Sequence, residues 1–336
     1  MIERPRCLPG LSLLAWSVAV LMWGPAANIT AADFKDPTAK PEATEKGLGF
    51  AQHADRLTIT AAGRPLAEFV FDDPLIRRPY VANVRLKSQR QVTRRHPPVE
   101  GKDATDHADM HPGIWLAFGD ISGHDFWRNQ GRIEHLRFVQ PPAIDNGIVR
   151  FTTESRFVGK EGEALGRMLN RLTARESTSG WRLTWETTLS ADSGELVLGD
   201  QEEMGFGARV ATEMTQKNGG VIRNSEGQQT ANATWGQPAA WCDYSGVVDG
   251  VPCGVTLMSG PVNFRRSWWH NRDYGVFVAN PFGRAAMKQG ERSRIVVKAG
   301  EPLTLLFAAA FHEGTAHSPA AEYDAFVQSL QTAPEK

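Results

Sequence analysis

The nine residues WRLTWETTL, 181–189, alternate apolar and polar side chains without a break. Successive side chains of an extended chain point to opposite faces, so this period of two marks a strand with one buried face. Its partner is residues 171–175, reached across Ser177, Thr178, Ser179 and Gly180. The same reading extends outward. Residues 57–60 and 66–71 form a hairpin about Ala62, Gly63, Arg64 and Pro65, and residues 294–298 pair with 303–311 across Ala299, Gly300, Glu301 and Pro302. Only the tail from Ser318 reads as helix: Ser318 can cap it, Pro319 suits its first turn, and Tyr323, Phe326, Val327 and Leu330 make one stripe. Residues 50–315 contain no repeat and no linker. The expectation is therefore an all-β chain: one large antiparallel β-sandwich with a short C-terminal helix.

The segment before the sandwich has a different composition. Arg4 and Arg6 precede an apolar run from Leu8 to Trp23, and Thr30, Ala31 and Ala32 offer a small-x-small cleavage site. Residues 1–32 are thus expected to be a signal peptide, 33–50 a polar linker and 51–336 a single domain. The protein is expected to be periplasmic or extracellular, with no membrane contact after cleavage. Cys7 lies ahead of the apolar run, where a lipid-anchor cysteine would not. The turn at Asp249 and Gly250 sets Gly246 opposite Cys253 and Cys242 opposite Leu257, so a Cys242–Cys253 disulfide would need a bulge near Pro252.

A formal net charge of −1, from 37 basic and 38 acidic residues, provides no electrostatic handle for nucleic acid. Chemistry must come from local clusters, and three stand out. In residues 103–127, DATDHADMHPGIWLAFGDISGHDFW, His107 and His111 are four apart, with Asp103 and Asp106 close by. That set could transfer protons near neutral pH, and Asp106, His107 and His111 could equally hold a divalent metal, the one cofactor considered. Trp115 follows on a short buried strand, 114–118, and Asp120 and Asp125 read as turn residues. Residues 263–275 contain His270, Arg272, Asp273 and Tyr274, and Arg272 could grip a carboxylate or a pair of sugar hydroxyls. Residues 200–209 place Glu202 and Glu203 ahead of a glycine-spaced strand ending at Arg209, and the pair could supply a general base.

The stretches HPPVEGKDATDHADMHPGIWLAFGDISGHDFWRNQGRIEH, DQEEMGFGARVAT, WCDYSG and HNRDYGVFVANPFGR resemble a bacterial family of exported proteins labelled "methane oxygenase PmoA", otherwise a domain of unknown function, over residues 55–315. The activity in that label is not expected, because a subunit of the particulate methane monooxygenase is a multi-helix membrane protein and this chain lacks such spans. The resemblance implies a supersandwich similar to galactose mutarotase and the polysaccharide lyases, which act with histidine, glutamate and arginine. By that analogy His107, His111, Glu203, His270 and Arg272 are catalytic candidates. Arg209, Asp273, Tyr274 and Trp115 are candidates for holding a small-molecule or glycan substrate. Two functions follow: a carbohydrate-active hydrolase, lyase or epimerase, or a non-catalytic glycan-binding or envelope scaffold module.

Overall fold

Eight strands make a first sheet, two of whose hairpins turn at left-handed residues, Ala62 with Gly63 and Gly275. The computed structural model describes residues 47–331, so the expected signal peptide and most of the expected linker lie outside the described residues. In spatial order the first sheet is β1 (Leu48–Gln52), β2 (Arg56–Ala61), β3 (Arg64–Val70), β4 (Tyr80–Ala82), β5 (Gly113–Ala117), β11 (Gly205–Arg209), β16 (Val276–Asn280) and β15 (Trp268–Asn271). The second is β12 (Val221–Asn224), β13 (Trp241–Val248), β14 (Val251–Ser259), β18 (Leu303–Glu313), β9 (Gly180–Ala191), β8 (Ala164–Ser177), β7 (Ile148–Val158) and β6 (Arg132–Asp145). β10 (Glu195–Leu198) and β17 (Ile295–Lys298) pair separately. A short helix, α1 (Ala231–Thr234), precedes β13, and α2 (Pro319–Gln331) follows β18. All pairings within both sheets are antiparallel. The all-β sandwich with its C-terminal helix is the observed architecture.

Alternation sorts the side chains into layers. Trp181, Leu183, Trp185 and Leu189 of β9 point inward to the core shared with Phe69, Leu116, Phe206 and Phe277 of the first sheet. The opposite face of the second sheet is covered by α2, whose Phe326 packs on Met258, Leu306, Ala308 and Ala310. Ser318 caps α2 from the preceding turn, its Oγ accepting from Ala321 N at 3.3 Å. The outer face of the first sheet carries Tyr80, Trp115 and Val278, and is covered by loops that contribute Ile76, Met110 and Trp127.

Two expectations are corrected. The linker does not reach residue 50: Leu48 is buried, and residues 48–50 pair with 61–59, because Leu48 and Phe50 extend the apolar layer. Residues 295–298 do not pair with 303–311. β18 already has β14 on one edge and β9 on the other, so β17 turns away and meets β10. The turn at Asp249 and Gly250 keeps the expected register, with Gly246 opposite Cys253 and Cys242 opposite Leu257, and both cysteines are free.

Candidate functional site

The outer face of the first sheet is where the three polar segments meet. Register places Tyr80, Trp115, Gly207, Val278 and His270 side by side across β4, β5, β11, β16 and β15, so all five point outward. Gly207 is required in this row. A Cβ there would lie 2.6 Å from Trp115 Nε1, so the missing side chain is the space the indole occupies. Trp115, a substrate-binding candidate, is fully buried and forms the floor. His111 stacks on it, with ring centroids 5.2 Å apart and planes 16° from parallel. Trp127 lies 5.3 Å from Trp115 and 5.6 Å from His111.

Buried arginines hold the overlying loop by its backbone. Arg94 donates to the carbonyls of Ala104, Asp106, His107 and His111, between 2.5 and 3.1 Å. Arg78 donates to the carbonyls of Met110 and Trp127 and lies 4.6 Å over the Trp127 ring. His107, whose backbone is left-handed (φ 50°), and His111 close one turn, His111 N donating to the His107 carbonyl at 2.9 Å. Asp103 is a turn residue that accepts from Val99 N and pairs with Arg95. Asp120 accepts from Gly123 N, and Asp125 accepts from the amides of Trp127 and Arg128.

Two charge clusters occupy the face. In the first, Arg209 donates to both oxygens of Asp106, at 2.9 and 3.1 Å, approaches His111 Nδ1 at 3.3 Å and lies 4.6 Å over the Tyr274 ring. Burial opposes charge on Asp106, but the Arg209 and His107 hydrogen bonds outweigh it and hold the carboxyl far below its ordinary range. His111 is driven down to about 2, first by burial and then by Arg209 and Arg94, so its imidazole is neutral at physiological pH. Donor atoms of Asp106, His107 and His111 come within 4.8 Å of one another, the set expected for a metal. Both Asp106 oxygens are nevertheless engaged by Arg209, and Arg94 is also close. The local charge therefore favours the carboxylate–guanidinium pair over a cation.

In the second cluster His270 lies between two carboxylates, its Nδ1 3.0 Å from Glu202 Oε1 and its Nε2 3.7 Å from Glu203 Oε1. Glu202 Oε1 also accepts from Arg272 Nη2 at 2.7 Å and Trp235 Nε1 at 3.0 Å, and Glu203 Oε2 accepts from Trp127 Nε1 at 2.7 Å. Glu202 is held down to about 2, chiefly by His270, against a smaller contribution from burial. The His270 side chain is 1% exposed, whereas Glu203 is 27% and Glu202 and Arg272 are each 35% exposed. His270 therefore meets the outside only through its two carboxylates. An open cavity of about 490 Å³ lies beside Glu202, lined by Glu202, Asn232, Trp235, Arg272, Ala286 and Lys288. Asp273 stands apart from these contacts, its carboxylate 3.7 Å from Lys217.

Tandem contacts thus link His107, His111, Trp115, Trp127, Glu203, His270, Glu202 and Arg272 on one face. Sequence reasoning read Glu202 only as one of two glutamates able to supply a base, not as the shared acceptor, and passed over Trp235, Lys288, Arg78 and Arg94. Glu202 was visible as half of a glutamate pair. Trp235 and Lys288 stand alone in sequence, and an arginine that serves backbone carbonyls leaves no motif.

The profile of a family of unknown function matches residues 56–325. The chain belongs to that family, DUF6807. Its description names no activity, and no curated protein matches the sequence. Among solved structures the chain is similar to heparan sulfate lyase HepC from Pedobacter heparinus (7% identity, TM-score 0.40). That match covers 84% of this chain and 38% of the lyase, so the chain spans well under half of the lyase's length. It is similar to the GalM/aldose epimerase homologue from C. elegans (8%, TM-score 0.35, covering 81% and 98%). A galactose mutarotase-like protein from Lactobacillus casei ATCC 334 also matches (11%, TM-score 0.33, covering 79% and 100%). These likenesses are distant, and the architecture rests on the strand pairing itself. Among the described residues no helix is long and apolar enough to cross a membrane.

Proposed function

We propose that this chain is an exported, periplasmic or extracellular, carbohydrate-active enzyme that acts on a sugar or oxidised sugar by His/Glu acid–base chemistry. The observation that carries this reading is His270 buried between Glu202 and Glu203, at the edge of a cavity walled by Trp235. A partly exposed carboxylate backed by an imidazole can accept a proton at a sugar carbon or hydroxyl and return it. In this reading Glu203, 27% exposed on the far side of His270 from the cavity-lining Glu202, is the base. His270, which is buried, lies against both carboxylates and positions them. Arg272 and Lys288 line the cavity where sugar oxygens or a carboxylate would meet them, and a pyranose ring stacking on Trp235 would displace the Lys288 ammonium that lies 5.6 Å over it. Arg209, Tyr274, Asp106 and His111 stiffen the adjoining floor, a role that requires no metal at that corner.

The test is turnover of a panel of neutral and acidic oligosaccharides, read by reducing ends, unsaturated products and anomeric exchange. Glu203→Gln should lower turnover about 10²–10⁴-fold with folding intact. Trp235→Ala should raise KM more than it lowers kcat. Unchanged turnover in Glu203→Gln would remove the acid–base reading. The alternative, a glycan-binding or envelope scaffold module, is favoured by Trp235 on the cavity wall. It predicts sugar binding without turnover, lost in Trp235→Ala and kept in Glu203→Gln.

A further inference from the structure

On the outer face of the second sheet, β13, β14 and β18 bring together Asp243, Thr256 and His312, and the turn before α2 adds His317. The Asp243 carboxylate is fully buried. Its Oδ1 accepts from Thr256 Oγ1 at 2.7 Å and lies 2.9 Å from His312 Nε2, and its Oδ2 accepts from Ser245 Oγ at 2.9 Å. His317 Nε2 is 3.0 Å from the same Thr256 hydroxyl. Both Nε2 atoms thus face one carboxylate oxygen and its hydroxyl partner. The imidazole rings are stacked, with centroids 3.6 Å apart and planes 8° from parallel. One donor atom from each of Asp243, His312 and His317 lies within 4.8 Å of the others.

We infer that Asp243, His312 and His317 bind one divalent transition-metal ion of the zinc type, which clamps β18 and the entry to α2 onto β13. Two imidazoles and a carboxylate are a donor set suited to such an ion, with metal–ligand distances of about 2.0–2.2 Å. The rings as they stand are stacked face to face, so their in-plane lone pairs run parallel, and the His317 side chain, on the turn before α2, turns out of the stack for both Nε2 atoms to meet one ion. The surroundings are prepared in two ways. Behind His317, Ser179 Oγ lies 2.7 Å from Nδ1, the kind of second partner that turns the other nitrogen toward a metal. Beneath His312, Gly254 leaves the ring its space, since a Cβ there would lie 2.2 Å from Nε2.

Charge separates this cluster from Asp106, His107 and His111. There a buried guanidinium engages both carboxylate oxygens. Here the guanidinium facing Asp243 is that of Arg223, whose Nε is 3.4 Å away and whose side chain is 42% exposed. Binding replaces the proton between His312 Nε2 and Asp243 with the metal and releases it to solvent. Thr256 or a water can fill the fourth position.

The experiment uses the full protein, stripped with a chelator and titrated with Co(II) alone. One Co(II) per chain with visible ligand-field bands is expected, displaced by Zn(II), with a higher Tm in either metal. His317→Gln should abolish the bands while circular dichroism stays unchanged. Ser179→Ala should weaken binding about 10–100-fold, and His107→Gln should bind as the unmodified chain does. Folded protein that binds no Co(II), or bands that survive in His317→Gln, would overturn the site. So would bands lost in His107→Gln. None of these results bears on Glu203.

Discussion

At the residue scale, His111 shows how burial and neighbouring charge decide what a histidine can do. Sequence placed it beside His107 as an acid, base or ligand. The fold places it on the Trp115 face with Arg209 3.3 Å from Nδ1, and its proton affinity falls to about 2. The unfolded chain regains an ordinary histidine near 6.5, so between those values the unfolded state binds the extra proton and stability rises with pH. Its contribution is full above about 6.5 and declines as pH falls below it. Urea unfolding at pH 7 and pH 5 should show a loss of stability that is smaller in His111→Phe, which keeps a ring on Trp115. An equal loss in both chains would mean that the imidazole can gain its proton inside the fold. Glu202 acts over a lower window. Held near 2 instead of 4.5, it contributes above about 4.5, and that contribution is lost as pH falls toward 2. The slope in that acid range should flatten in Glu202→Gln.

At the element scale, local rules were legible and distant pairings were not. The alternation of 181–189, the turn at Asp249 and Gly250 and the cap at Ser318 each depend on residues within a few positions, and each appears as read. The β5–β11 and β11–β16 pairings join segments tens of residues apart, with nothing in either segment to name its partner. For the same reason β17 was assigned to its sequence neighbour. What fixed its place was that β18 had no free edge, a property of the whole sheet. The site follows this division: its residue types were visible in three segments, while the ladder that sets His270 four strands from Tyr80 was not. Gly207 makes that ladder testable. Gly207→Ala puts a methyl 2.6–2.8 Å from a buried indole that cannot flex away. It should cost about 1–3 kcal/mol, the usual penalty of overpacking, seen as a lower urea midpoint and a perturbed near-ultraviolet tryptophan signal.

At the scale of the whole molecule, the two outer faces are separated by the core, and so are their roles. α2 is held to the second sheet by Phe326 and by the buried Arg182–Glu322 pair, 2.8 Å apart with Arg182 also over the Phe326 ring. Glu203 lies on the far side, beyond two sheets whose faces pack about 10 Å apart. Removing Phe326 leaves a cavity among Met258, Leu306 and Ala308, so Phe326→Ala should destabilise by about 3–5 kcal/mol. Glu322→Gln should cost a similar amount by leaving Arg182 buried without its counter-charge. Neither change touches the Glu203 cluster. Since residues more than about 7–10 Å apart with no shared partner contribute independently, the effects of Phe326→Ala and Glu203→Gln should add within about 0.5 kcal/mol in stability. In turnover or sugar binding at a temperature where both chains are folded, Phe326→Ala should match the parent. A Phe326→Ala chain that is folded yet loses activity would show that the core transmits strain from one face to the other. The two sheets would then have to be treated as one mechanical unit, with α2 as part of the site.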